Sequence, residues 1–258
     1  MKKNWRFVYQ DNQYFGECLP CTLAVFNTII DSALVAWKIA TRQEVDKAVA
    51  EGLPLDKWTL NSDFQKFCLK REAQPRAGVM FRQLTIAEKL LQWTQSLKES
   101  LPCFIFAASA FDLVPVTDKM DNPVLDANGQ PKMRRRRLLK GIHLSGLFMF
   151  DADHLTIDPY EVYQRTLVPG FPWKVRLAHK TSSGQGLRLV CEIRIELGNI
   201  ADNQICLARD LQLKGVLGST GKPVVDDSCI DASRISYACR REDIYFIDEE
   251  NLFKIVVT

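Results

Sequence analysis

The sequence predicts an α+β chain, helical over its first hundred residues and strand-rich after them. Three observations carry this expectation. Residues 20 to 100 are built of apolar and amphipathic stretches with helix-start signals. The character then changes at Leu101-Pro102, after which Cys103-Phe104-Ile105-Phe106 reads as a strand. From His143 onward, short strand patterns alternate with helix openings. The expected division is a mainly helical N-terminal region, residues 1–96, followed by residues 97–258, where the chemistry is expected.

The helical part opens with the most apolar run of the chain, Cys21 to Ala40. It approaches membrane-spanning length, but Asn27, Asp31 and Lys38 interrupt it, so a buried helix is the expectation and no membrane is implied. Thr41 with Glu44, and Thr85 with Glu88, have capping-box spacing. The second pair should open a helix with Ala87, Leu90, Leu91 and Leu97 facing inward.

In the second part, Val114 to Met133 collects prolines, aspartates and an Asn128-Gly129 pair, and reads as a loop or hairpin. Leu144 to Phe150 reads as a strand, Asp158-Pro159 with Glu161 as a helix start, and Trp173 to Ala178 as a further strand. The clearest strand puts Leu187, Leu189, Cys191, Ile193 and Ile195 on one face and Arg188, Glu192, Arg194 and Glu196 on the other. That is the alternation of a half-buried strand. A helix from about Asp202 to Leu213 and strands near Pro223-Val225 and Ile235-Cys239 complete the series.

Composition sets limits without choosing a function. With 47% hydrophobic and 25% charged residues the 258-residue chain is of globular type. A net charge of +3, from 34 basic and 31 acidic residues, is too balanced to imply nucleic acid, so any electrostatic footprint must be local. The 8 cysteines are scattered and no secretory segment is read at the start, which points to reduced thiols and a cytoplasmic setting. Cys18-Leu19-Pro20-Cys21 has CxxC spacing but lacks the preceding strand of a redox site and the further ligands of a zinc site, so it reads as structural.

Three places have the residue types for chemistry. Leu147-Phe148-Met149-Phe150-Asp151-Ala152-Asp153-His154 is an apolar strand ending in two aspartates that alternation puts on one side. Carboxylates so placed repel each other unless a positive group sits between them, and Mg²⁺ suits one or two carboxylates plus substrate phosphates. The plainer alternative is a capped turn. Thr181-Ser182-Ser183-Gly184-Gln185-Gly186-Leu187-Arg188 is a small-residue turn entering a strand, whose amides, hydroxyls and guanidinium can take phosphate oxygens. An ordinary hairpin turn is its alternative. Val224-Val225-Asp226-Asp227 through Asp231-Ala232-Ser233-Arg234 is a third strand end rich in acid, able to supply another carboxylate to a metal site or to form an Asx-rich turn. Beside these, Arg134-Arg135-Arg136-Arg137 immediately precedes the strand with the acidic pair, so contact with template phosphates is weighed against a solvated face.

The order of these three segments resembles the motifs of the archaeo-eukaryotic primase superfamily. In detail, Leu144-Ser145-Gly146-Leu147 through His154, Ser183-Gly184-Gln185-Gly186-Leu187-Arg188, and Asp226 through Arg234 are similar to the VirE N-terminal domain family, primase-like domains of bacteroidete mobile elements. The likeness covers roughly residues 97 to 250 and includes Gly198 to Gln204 at a helix entry.

The resemblance implies an RRM-like primase-polymerase catalytic module with an additional α/β unit. It makes Asp151, Asp153 and Asp226 the catalytic ligands of Mg²⁺ or Mn²⁺, with Asp227 and Asp231 as rivals to Asp226. Ser182, Ser183, Gly184, Gly186, Arg188 and Arg234 would hold the nucleotide, and Arg134 to Arg137 the DNA. The implied activity is phosphodiester synthesis on a single-stranded DNA template from nucleoside triphosphates, in mobile-element replication with a separately encoded helicase. Arg188 stands where better-characterised primases have histidine, so a degenerate fold that binds DNA or a replication partner is the alternative. On the repulsion argument alone, Asp151→Ala and Asp153→Ala should each hold or raise stability.

Overall fold

The computed structural model describes residues 5–14, 16–73, 81–118, 120–225 and 231–254. The chain is α+β. It begins with strands β1 (Phe7–Gln10) and β2 (Leu19–Cys21), followed by helices α1 (Leu23–Ile30), α2 (Ala33–Glu51), α3 (Asp56–Thr59), α4 (Ser62–Ala73) and α5 (Ile86–Glu99). Strands β3 (Cys103–Ile105), β4 (Ala108–Phe111), β5 (Leu113–Pro115), β6 (Met133–Arg135), β7 (Ile142–Leu144) and β8 (Leu147–Ala152) come next. Then follow α6 (Pro159–Gln164), β9 (Val175–Lys180), β10 (Leu187–Glu192), α7 (Ile200–Asp210), β11 (Ser236–Tyr237), β12 (Ile244–Ile247) and α8 (Glu249–Phe253).

Two four-stranded sheets organise these elements, with orders β11-β3-β1-β2 and β12-β9-β10-β8. Every pairing in both is antiparallel. The second sheet has a recognisable logic. Strand β8 leads through α6 to β9, and β10 returns to lie between them, a split βαβ arrangement. After α7 the chain comes back beside β8, where Val225 forms an antiparallel bridge with Ala152. The strand expected near Pro223-Val225 is thus reduced to bridges.

Alternation along β8 and β10 divides the interior into two cores. Phe148, Phe150, Ala152, Leu187, Leu189 and Cys191 face α6 and α7 and pack with Val162, Leu207 and Leu211. Leu147, Met149, Leu177 and Val190 face the other way and share a core with Phe7 of β1, Phe26 and Ile30 of α1, Val35 and Ile39 of α2, and Phe104 of β3. A smaller cluster of Val45, Phe64, Leu90, Trp93 and Leu97 joins α2, α4 and α5.

Several expectations need correction. The apolar run at 21–40 is split at Asp31-Ser32 into α1 and α2, which meet at 47°, and among the described residues no single helix is long and apolar enough to cross a membrane. Thr41 and Glu44 lie inside α2, whose N-cap is Ser32, so their spacing marks no helix start. The Thr85–Glu88 capping box is formed, but α5 buries Leu90, Trp93, Thr94 and Leu97 and leaves Leu91 exposed. Strand β10 ends at Glu192 rather than continuing to Glu196, and Ile195 is 79% exposed. It is also buried on both faces, because the N-terminal elements cover the side that alternation gave to solvent. Residues before α1 add β1 and β2 to a sheet with β3, so the N-terminal region is helical only from residue 23. Cys18 and Cys21 are buried free thiols, pushed up from the ordinary range by burial.

Candidate functional site

Asp151 and Asp153 continue the face of β8 that holds Leu147 and Met149, at the point where that core opens into a cleft. In register across the sheet, Asp151 stands opposite Arg188 of β10, and Arg188 opposite His179 of β9. Arg188 is only 7% exposed; one guanidinium nitrogen is ion-paired with Asp151 Oδ2 and another donates to Ser236 Oγ at 3.1 Å. The other carboxylate oxygen, Asp151 Oδ1, is buried without a hydrogen-bond partner among the described residues. Burial, and then the charge of Asp151, push the Asp153 carboxyl above its ordinary value, with Arg188, Lys98 and His154 opposing.

The turn between β9 and β10 leans against this pair. It is closed by Thr181 N donating to Gly186 O (2.9 Å) and Gly184 N donating to Thr181 O (2.8 Å), with Gly184 at φ +79°. A Cβ on Gly186 would lie 2.6 Å from Asp153 Oδ1 and 2.7 Å from Ala152 O. Only glycine lets the turn approach the acidic pair this closely. From the helical side, Arg42 Nη1 donates to Ser182 Oγ (3.0 Å) and Gln43 Nε2 to Ser182 O (3.3 Å). Lys98, in the last turn of α5, sits 5.0 Å from the Tyr237 ring centre; burial, then Arg42, push its ammonium below the ordinary lysine range.

These groups line one cleft of about 530 Å³. Among the described residues, Arg42, Lys98, Arg137, Arg188 and Arg234 line it together with the carboxylates Asp151, Asp153 and Asp231. Among the described lining residues the excess is positive, as suits a polyanion. Of the residues expected from sequence, Asp151, Asp153, Ser182, Ser183, Arg188 and Arg234 meet here, while Gly184 and Gly186 shape the turn. Asp226 and Asp227 lie outside the described residues. Asp231 reaches the cleft, with Oδ1 accepting from Ser233 N (2.8 Å) and Ser233 Oγ (2.6 Å). Of the arginine run, Arg137 alone lines this cleft; Arg135 turns toward Glu17 at 3.7 Å.

Sequence reasoning missed Arg42, Lys98, Gln13 and Tyr237, all lining residues. Arg42 sits within the false Thr41–Glu44 cap, and Lys98 is indistinguishable from a dipole-complementing lysine at a helix end.

Among the described residues no group of three or more His, Cys, Asp or Glu side chains could hold a metal ion. The pair alone still fits one divalent cation of the kind that takes one or two carboxylates and completes its shell with phosphates. Asp151 Oδ1 is buried and unsatisfied among the described residues, and Asp153 is held next to a like charge. No protein-family model, curated protein or solved structure matches the chain.

Proposed function

We propose that this chain is a primase-type nucleotidyltransferase domain whose cleft takes a nucleoside triphosphate beside Mg²⁺ or Mn²⁺ and joins nucleotides on a single-stranded DNA template. The observation that carries the reading is the convergence of the Asp151–Asp153 pair, the Ser182-Ser183 turn and basic side chains on one cleft. The topology supports it too. The order Val225 bridge, β8, β10, β9, with α6 and α7 on one face and β12 added outside β9, is compatible with an RRM-like βαββαβ unit. The N-terminal strands and helices form the additional layer.

In this reading Asp151 and Asp153 hold the cation, and Asp226, which follows the Val225 bridge in sequence, is the third ligand. A cation there would supply Lewis-acid stabilisation of the phosphate charge. Lys98, Arg42 and Arg234 grip the triphosphate tail with the Ser182-Ser183 hydroxyls. Arg188 acts on Asp151, so the phosphate fork expected of it from sequence passes to the helical side of the cleft. The domain would work in the cytoplasm, in mobile-element replication, alongside a helicase activity.

One observation favours a second reading, a primase fold that binds nucleotide or DNA without turnover: Asp151 already has a cationic partner in Arg188. A primer-synthesis assay with single-stranded DNA, labelled nucleotides and Mn²⁺, run beside calorimetry of nucleotide binding, separates them. The nucleotidyltransferase should extend primers, and Asp153→Asn should reduce extension by more than about a hundredfold through loss of a metal ligand. Metal-independent nucleotide binding with no extension supports the second reading. No nucleotide binding at all overturns the first reading and leaves of the second only the binding of DNA.

A further inference from the structure

Among the described residues, a cavity of about 780 Å³ shares no lining residue with the cleft. It lies where Leu144 to Gly146, leading into β8, meet the end of β10 and the start of α7. Its walls are mainly apolar, with Leu144, Ile193, Ile195 and Ile200 among them, and Leu144 and Ile195 are left 59% and 79% exposed. Large aliphatics held in water around a pocket mark an interaction site.

The polar part of the cavity is positive. Arg6, buried at 3% exposure, lines it and donates through Nε and Nη1 to Ser145 O, Asn251 O and Glu192 Oε1. Its Nη2 makes no hydrogen bond among the described residues and lies beside Gly146, 3.4 Å from where a Cβ there would sit. Glu192 is 3.4 Å from Arg6, 3.0 Å from Arg176 and 3.7 Å from Lys174, while Asp248 pairs with Arg176. This network sets three cations against two carboxylates, and Arg6 makes the longer of the two arginine contacts to Glu192. The capping box of α7 satisfies the amides of Asn199 and Asp202 but not those of Ile200 and Ala201, which also line the cavity. Asp202 and Glu196, the acids on that segment, are turned to Asn199 N and Arg194 Nε.

We infer that this cavity docks a segment of a partner protein in which an aspartate or glutamate stands beside large aliphatic side chains. The carboxylate meets Arg6 Nη2 and the positive end of α7, and the aliphatics cover Leu144 and Ile195. One excess charge among apolar walls matches one carboxylate, whereas a nucleic-acid backbone calls for a row of cations. A small apolar acid held inside would leave Leu144 and Ile195 in water, so the occupant extends beyond the cavity as a protein segment does. Docking here does not depend on what the cleft binds.

The test selects short peptides from a random phage-displayed library on the immobilised full chain. Selected peptides, labelled with a fluorophore, are then titrated by anisotropy against wild type, Ile195→Asp, Leu144→Asp, Arg6→Gln and Leu60→Asp. They should carry an acidic residue within a few positions of two or more large aliphatics. Ile195→Asp and Leu144→Asp should each weaken binding by more than about tenfold, through a lost apolar contact and an added like charge. Leu60→Asp should match wild type, since Leu60 is 77% exposed and outside the cavity. Replacing the peptide's acid with its amide should cost about ten- to a hundredfold against wild type and much less against Arg6→Gln. If Arg6→Gln fails to fold, the exposed-site variants and the amide peptide still decide. Selection of no peptide, selection of peptides without an acid, or equal binding to wild type and Ile195→Asp overturns the docking site.

Discussion

Arg188 decides how the acidic pair behaves in the metal-free protein. Alternation correctly put it opposite Leu187 and Leu189, yet its partner is the cross-strand Asp151, which no local pattern could name. Removing one member of a buried ion pair leaves the other charge unsatisfied, at a cost of about 3–5 kcal/mol, whereas removing both costs much less. Arg188→Ala and Asp151→Ala should each destabilise by that amount, and the double variant should fall short of their sum by more than about 1 kcal/mol. Denaturant melts of the four proteins measure this; strict additivity would mean that the pair carries no coupling. The expectation that Asp151→Ala holds or raises stability is thereby replaced. Asp153 keeps it: its carboxyl is raised, so its ionised form opposes folding, and Asp153→Asn should stabilise the metal-free protein at pH 7. His179, completing the row, is buried and faces Arg188, Asp151 and Asp243; burial, then Arg188, push it down to about 4. Its Nδ1 donates to Lys180 O at 2.8 Å, which fixes the neutral tautomer. The unfolded chain takes up a proton near pH 6.5 and the folded chain does not until about pH 4. His179 therefore contributes stability that is fully present above pH 6.5 and is lost as pH falls toward 4, by about 3 kcal/mol at 1.36 kcal/mol per pH unit. Stability measured at pH 7 and 4.5 should show most of that decline in wild type and a shallower one in His179→Gln.

At the scale of elements, legibility followed the locality of the cause. The capping box at Thr85 and the N-cap at Asp158 depend on side chains three residues or fewer away, and both formed as read. The acidic pair and the small-residue turn were legible because alternation and glycine content are local, and β8 and the β9–β10 turn bring them together. The β10 face with Arg188 and Val190 was misread because what covers it, the core with Phe7, Phe26 and Ile39, comes from residues more than a hundred positions earlier. Thr41 and Glu44 failed for a related reason: capping spacing recurs inside helices, and only the break at Asp31-Ser32 shows where α2 begins. Arg42 and Lys98 were invisible as site residues because their approach to Ser182 and Tyr237 brings α2 to the β9–β10 turn and the end of α5 to β11, across more than a hundred positions of sequence.

For the whole molecule, the N-terminal elements are part of the core rather than an attachment to it. Phe7 meets Phe104 edge-on with ring centres 6.1 Å apart, and Phe26 lies 5.0 Å from the same ring. Arg6 is 3% exposed and donates to Ser145 O at 3.1 Å and Asn251 O at 2.7 Å, joining residues at opposite ends of the chain. A fragment of residues 97–258 would strip Phe7, Phe26, Ile30, Val35 and Ile39 from the core shared with Leu147, Met149, Leu177 and Val190. At about 1.5–3 kcal/mol for each large apolar side chain, the loss is on the order of 10 kcal/mol, comparable with the whole stability of a domain. The fragment should therefore show no cooperative thermal transition and should be cut rapidly by protease at its strands, while the full chain melts cooperatively. It would also lack Arg42 and Gln43, so the Ser182 turn loses both of its tethers from α2. Expression of the fragment beside the full chain, followed by melting and limited proteolysis, tests this directly. A fragment that melts cooperatively and still binds nucleotide would show that the second sheet folds and works without the N-terminal layer.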